Sequence, residues 1–72
     1  MNSNMSAKRA KQIRKALKYS QSEFAELLGV SKRTVESWEQ GANRVNKTAS
    51  KLYELLCKYP SLSKELRGDA FD

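Results

Sequence analysis

The chain has no histidine, one cysteine, one proline and three glycines among its 72 residues. The missing histidine excludes a Ser-His-Asp triad and a Cys/His zinc site, and a single cysteine cannot build a disulfide framework. No stretch approaches the roughly 20 apolar residues that a membrane-spanning helix needs, and no segment has a signal-peptide pattern. No pair of acids stands at a spacing that marks an acid–base site, so an enzyme is not expected. The expectation is a cytoplasmic protein with no metal, no cofactor and no membrane partner. Cys57 falls inside an apolar helical pattern, which predicts a buried, inert thiol.

One small core is what remains possible. A domain of this size hides only about 60% of the surface its unfolded chain exposes, so association with a second copy would add stability. The formal net charge is +6, and its placement matters more than its size. Residues 1–18 contain Lys8, Arg9, Lys11, Arg14, Lys15 and Lys18 and no acid, so the whole excess lies there. A basic segment fits a polyanionic partner, and it equally fits a well-solvated surface.

Taken in order, residues 1–5 are polar and without periodicity, and a disordered start is expected. From about Ser6 to Lys18 the pattern is helical, with Ala10, Ile13 and Leu17 on one face. Lys8, Lys11, Lys15 and Lys18 fall opposite, within a span of about 80°, and Arg14 lies between that stripe and the core, at a position suited to a partly buried ion pair. Long lysines on an exposed helix cost little, so the stripe is first of all a solvated face and only second a set of phosphate contacts.

Ser20 followed by Glu23 forms a capping box, after which Phe24, Ala25, Leu27 and Leu28 supply an apolar face and Gly29 stands at the left-handed C′ position. Ser31 caps the next helix, Val35 and Trp38 are its apolar pair, and Gly41 ends it. Two short helices joined by a glycine turn have the outline of a helix-turn-helix. A polar loop with one apolar residue, Val45, leads to Asn46, which caps a helix from about Lys47 to Lys58 with Ala49, Leu52, Tyr53, Leu56 and Tyr59 on one face. Pro60 ends it, and Ser61 caps a last short helix over 62–67, closed by Gly68. Residues 69–72 are expected to fray. The prediction is an all-α, compact five-helix domain over residues 6–68.

On a helical wheel of the third helix, Val35 and Trp38 define the buried direction, and Arg33, Glu36, Ser37 and Gln40 lie opposite. Lys32 sits at the N-terminal tip, where the helix dipole is positive. Such a face suits a phosphate-lined groove, with an arginine reaching guanine O6 and N7 and Glu36 either accepting from cytosine or orienting Arg33. Ordinary surface residues of a small helical domain would look the same. Single-stranded RNA is disfavoured because Trp38 and Phe24 are expected in the core rather than on a stacking platform.

The span from Ile13 to Tyr59 resembles the helix-turn-helix domains of the lambda- and Cro-type repressors, the XRE family. Gln21, Ala25, Gly29, Val30, Val35 and Trp38-Glu39-Gln40-Gly41 carry the likeness, with Arg14 and Leu17 of the first helix. The resemblance implies a lambda-repressor-like fold and binding to a double-stranded DNA operator. It implies that Lys32, Arg33 and Ser37 reach base edges, that Gln21 and Thr34 meet phosphates, and that Asn43 and Arg44 contact the neighbouring backbone. It also implies a structural ion pair between Arg14 and Glu39. The Trp38–Gly41 run, the leucine-rich helix after it and Tyr59-Pro60 look most like antitoxin-type regulators of the HigA kind, although Val45 stands where many of those have proline and Ser50 where they have an apolar residue. Two functions follow: a homodimeric repressor reading a palindrome, or an antitoxin whose main partner is a toxin protein and whose DNA binding serves autoregulation. Leu62, Leu66 and Phe71 remain after a four-helix core is filled. They are nominated as the dimer surface, with closure of the monomer core as their alternative role.

Overall fold

The computed structural model describes residues 5–67, which form five helices and no strand. These are α1 (Ala7–Ala16), α2 (Gln21–Leu28), α3 (Lys32–Gln40), α4 (Lys47–Lys58) and α5 (Ser61–Arg67). Each of the first four starts on a side chain that satisfies an orphan backbone N–H three residues on. Ser6 serves Arg9, Ser20 serves Glu23, Ser31 serves Thr34 and Asn46 serves Ala49. At Ser20 the box is reciprocal, because the Glu23 carboxylate accepts from the Ser20 N–H at 2.9 Å. Gly29 and Gly41 end α2 and α3 at φ 75° and 80°, the left-handed region that a side chain disfavours.

α2 and α3 pack on each other, α1 packs on both α3 and α4, and α5 packs on α4 and α2. Four of the six aromatic residues of the chain meet at the centre. The Phe24 and Tyr53 rings lie 5.0 Å apart, and Trp38 meets the Tyr53 ring edge-on at 6.1 Å. Tyr19 touches Phe24 from the outside at 6.2 Å. Such pairs add about 0.5–1.5 kcal/mol each beyond the area they bury. Ala10, Ile13, Ala25, Leu27, Val35, Ala49 and Leu56 fill in around them. Val45, the one apolar residue of the α3–α4 loop, is also buried, and its carbonyl accepts from the buried Ser50 hydroxyl. That bond explains how a serine occupies an apolar position at little cost.

Several expectations need correction. Met5, assigned to the polar lead-in, packs on the core. Cys57 is exposed, not buried. It lies on the surface edge of α4 where Arg9 of α1 pairs with Glu54. Tyr59, expected on the core face of α4, is half exposed. Its backbone, at φ −127° and ψ 78°, has left the helix, so its side chain leaves the helical register. Ser61 is the first residue of α5 rather than its cap. Residues 1–4, Gly68 and the 69–72 tail with Phe71 lie outside the described residues.

Candidate nucleic-acid interface

The α2–α3 unit is braced from α1. Arg14, buried among core residues, donates from Nε to Glu39 Oε2 at 2.6 Å and from Nη2 to Oε1 at 3.0 Å, a bidentate pair. Its Nη1 donates to the Tyr19 carbonyl at 2.7 Å, so one guanidinium links α1, the α1–α2 turn and α3. The Gln21 side-chain amide, at the first position of α2, donates to the same Glu39 Oε1 at 3.2 Å. Burial pushes the Glu39 carboxyl up, but the hydrogen bonds from Arg14 and Gln21, helped by the charges of Arg14 and Lys11, outweigh it and hold the group below the usual carboxylate range. Arg14 is raised, chiefly by its hydrogen bonds to Glu39. Behind the brace, the phenol of Tyr53 is pushed upward by burial, and its hydroxyl has no hydrogen-bond partner among the described residues.

On the outer side, α3 presents Lys32 and Arg33 at its N-terminal tip, both exposed. Arg33 has no ion pair among the described residues, whereas Lys32 lies 4.0 Å from Glu36 one turn on. Glu36 therefore leans toward Lys32, a partner the sequence did not identify. Thr34 and Ser37, named as phosphate and base contacts, both carry local bonds. The Thr34 and Ser31 hydroxyls lie 2.9 Å apart, and Ser37 Oγ accepts from the Asn43 amide at 2.8 Å. The second bond reaches across the Gly41 turn and ties the loop after α3 to the helix. Gln21 keeps one amide hydrogen beyond the bond it gives Glu39.

Arg44 is exposed and lines a shallow hollow of about 380 Å³ with Met5, Ser6, Ala7, Trp38 and Asn43. Thus Lys32, Arg33, Ser37 and Asn43 are arranged along α3 and its exit loop, while Gln21 is reached through Glu39. Leu62 packs partly against the core and Leu66 is half exposed, so the two do not share one environment. Among the described residues no group of His, Cys, Asp or Glu could hold a metal ion, and no helix is long and apolar enough to cross a membrane.

Two capped helices, a left-handed glycine between them, and a second helix that buries Val35 and Trp38 while offering Lys32 and Arg33 outward define a helix-turn-helix DNA-binding domain. The profile of the helix-turn-helix family matches residues 11–65, and the chain belongs to that family, in its XRE branch. No curated protein matches the chain in sequence. The protein is a DNA-binding regulator, and DNA is its partner.

Proposed function

We propose that this protein is a sequence-specific transcriptional repressor that binds a palindromic operator as a homodimer in the cytoplasm and can act on its own promoter. The observation that carries the reading is the exposed tip of α3, where Arg33 stands with no carboxylate paired to it among the described residues. In this reading Arg33 takes guanine O6 and N7, Lys32 and Ser37 reach adjoining base edges, and Gln21, Thr34, Asn43 and Arg44 hold phosphates on either side. The two recognition helices of the dimer sit about 34–36 Å apart, one turn of the duplex. Leu66, together with Leu62 and Phe71, supplies the contact between copies. Repression needs no bond chemistry, because occupancy of the promoter is enough.

Selection of bound sites from a random DNA pool tests the reading. The expected outcome is a two-fold symmetric sequence with half-sites about 10 base pairs apart. Arg33→Ala should weaken binding to that site by about 1–3 kcal/mol and relax preference at one base pair per half-site. A pool with no enriched sequence would refute sequence-specific repression.

An antitoxin role draws support from a different observation: Leu55 of α4, Tyr59 just past its end and Leu66 of α5 are large apolar side chains left half exposed. A toxin partner would cover such a surface, and co-purification of a second protein with the chain from its native host distinguishes this role from simple repression.

A further inference from the structure

Two acids lie on α3, and the structure gives them opposite settings. Glu39 has a side chain only 4% exposed and is held by Arg14, whereas the side chain of Glu36 is 37% exposed. Glu36 is therefore the one carboxylate that α3 offers to solvent. It stands on the outward side of the helix with Arg33 and Ser37, beside the cations that the proposed operator complex uses. A carboxylate there opposes every phosphate the helix approaches, so its place on a reading face calls for a physical reason.

In the free protein that carboxylate faces Lys32, whose Nζ lies 4.0 Å from Glu36 Oε2. Arg33, three residues before Glu36 and equally within its reach along the helix, has no ion pair among the described residues. Glu36 therefore does not orient Arg33; it covers the charge of Lys32 and leaves that of Arg33 open. The Lys32–Glu36 pair is also easily opened. It is long and exposed to solvent, and lysine precedes glutamate, the less favourable order along a helix. In the major groove, the cytosine amino group is the base edge that a carboxylate reads.

From this arrangement we infer that Glu36 is a specificity-determining residue that acts on wrong and right sequences alike. On arbitrary DNA it keeps Lys32 paired and withholds one cation from the phosphates. At the operator the pair opens, Glu36 accepts from a cytosine amino group, and Lys32 is released to its own base edge. Arg33 and Glu36 differ by about 4.5 Å of helix rise, close to the spacing of about 3.4 Å between base pairs. The cytosine therefore lies in the base pair read by Arg33 or in one beside it. The inference rests on the operator-binding reading above and adds to it a means of rejecting wrong sequences.

Glu36→Ala tests it, because the side chain is at the surface and alanine favours a helix. On a duplex of arbitrary sequence this variant should bind more tightly than wild type, with Lys32 free to neutralise one phosphate. The slope of log K against log salt should steepen by about 0.9 per subunit, so the advantage shrinks about 3.5-fold per subunit between 50 and 200 mM salt. In a Lys32→Ala background the same substitution should leave the slope unchanged, since no covered cation remains. Equal steepening with and without Lys32 would mean that any negative charge on this face acts alike, and would overturn the inference. On the operator selected by the wild-type protein, Glu36→Ala should lower the preference for cytosine at one base pair per half-site by about fivefold or more. That pair should be the one that Arg33→Ala relaxes, or its neighbour. A wild-type pool without enrichment is failure of the operator reading itself. An enriched pool whose preferences Glu36→Ala leaves unchanged is failure of this inference alone.

Discussion

Two arginine–glutamate pairs built on α1 use the same bidentate chemistry in opposite surroundings. Arg14–Glu39 has side chains only 10% and 4% exposed, whereas those of Arg9–Glu54 are 48% and 54% exposed. Both pairs span long stretches of sequence, 25 residues in one case and 45 in the other. In water the attraction between two charges is weak and is offset by the entropy of ordering two long side chains. Inside the protein the attraction is strong, but so is the cost of removing each ion from water, and the pair is secure only while both partners are present. The buried pair is therefore a brace and the exposed pair an ornament of the surface, although their hydrogen bonds look alike on paper.

Removing one partner separates them most sharply. Arg14→Ala leaves Glu39 buried and unpaired, and it should cost about 3–5 kcal/mol in urea unfolding. Replacing both members by apolar residues of similar volume, as in Arg14→Met/Glu39→Leu, should recover much of that loss. If the single and double variants are equally destabilised, the brace is not held by the charge pair.

Acid gives a smaller effect of definite sign. The folded Glu39 carboxyl titrates below its unfolded value of about 4.3, so its contribution is fully present above that pH and is lost as pH falls through the folded value. Wild-type stability should therefore drop below about pH 4 more steeply than that of Glu39→Gln. Parallel curves for the two proteins would mean that Glu39 has no such shift. At the small end, Arg9→Ala should leave the melting temperature unchanged within error at ordinary salt. A clear drop would make the surface pair a second brace and erase the contrast.

Much of this architecture was legible in the sequence because the signals are local. Ser20 with Glu23, Ser31, Asn46, Gly29 and Gly41 fix helix ends through neighbours three or four residues away, and the structure places α2, α3 and α4 where those residues put them. The wheel separated Val35 and Trp38 from Arg33 for the same reason. Pairing of Arg14 with Glu39 spans the chain and came from family likeness, with the wheel position of Arg14 as its physical support.

Other features depend on which surfaces happen to face one another. Cys57 lies one residue from buried Leu56 and is nevertheless exposed, on the edge of α4 where Arg9 pairs with Glu54. No pattern in the sequence reports which edge of α4 its neighbours leave open. The Asn43–Ser37 bond is set by the turn at Gly41, and Thr34 shares its hydroxyl with the cap Ser31, so Thr34, Ser37 and Asn43, three polar residues read as DNA contacts, are already engaged. Met5 gave no periodic signal because it precedes the helix whose packing it completes.

The Gln21 amide bound to Glu39 has a consequence for the timing of recognition. A flexible side chain that becomes ordered when a ligand arrives typically costs about 0.5–1.5 kcal/mol of binding free energy. Gln21 is already held by a carboxylate that Arg14 itself immobilises, so its rotamer is chosen when the chain folds. In the operator complex proposed above, where Gln21 meets a phosphate, Arg14 thereby influences binding through Gln21, and a variant that loosened this relay while still folding would bind with a larger entropic penalty.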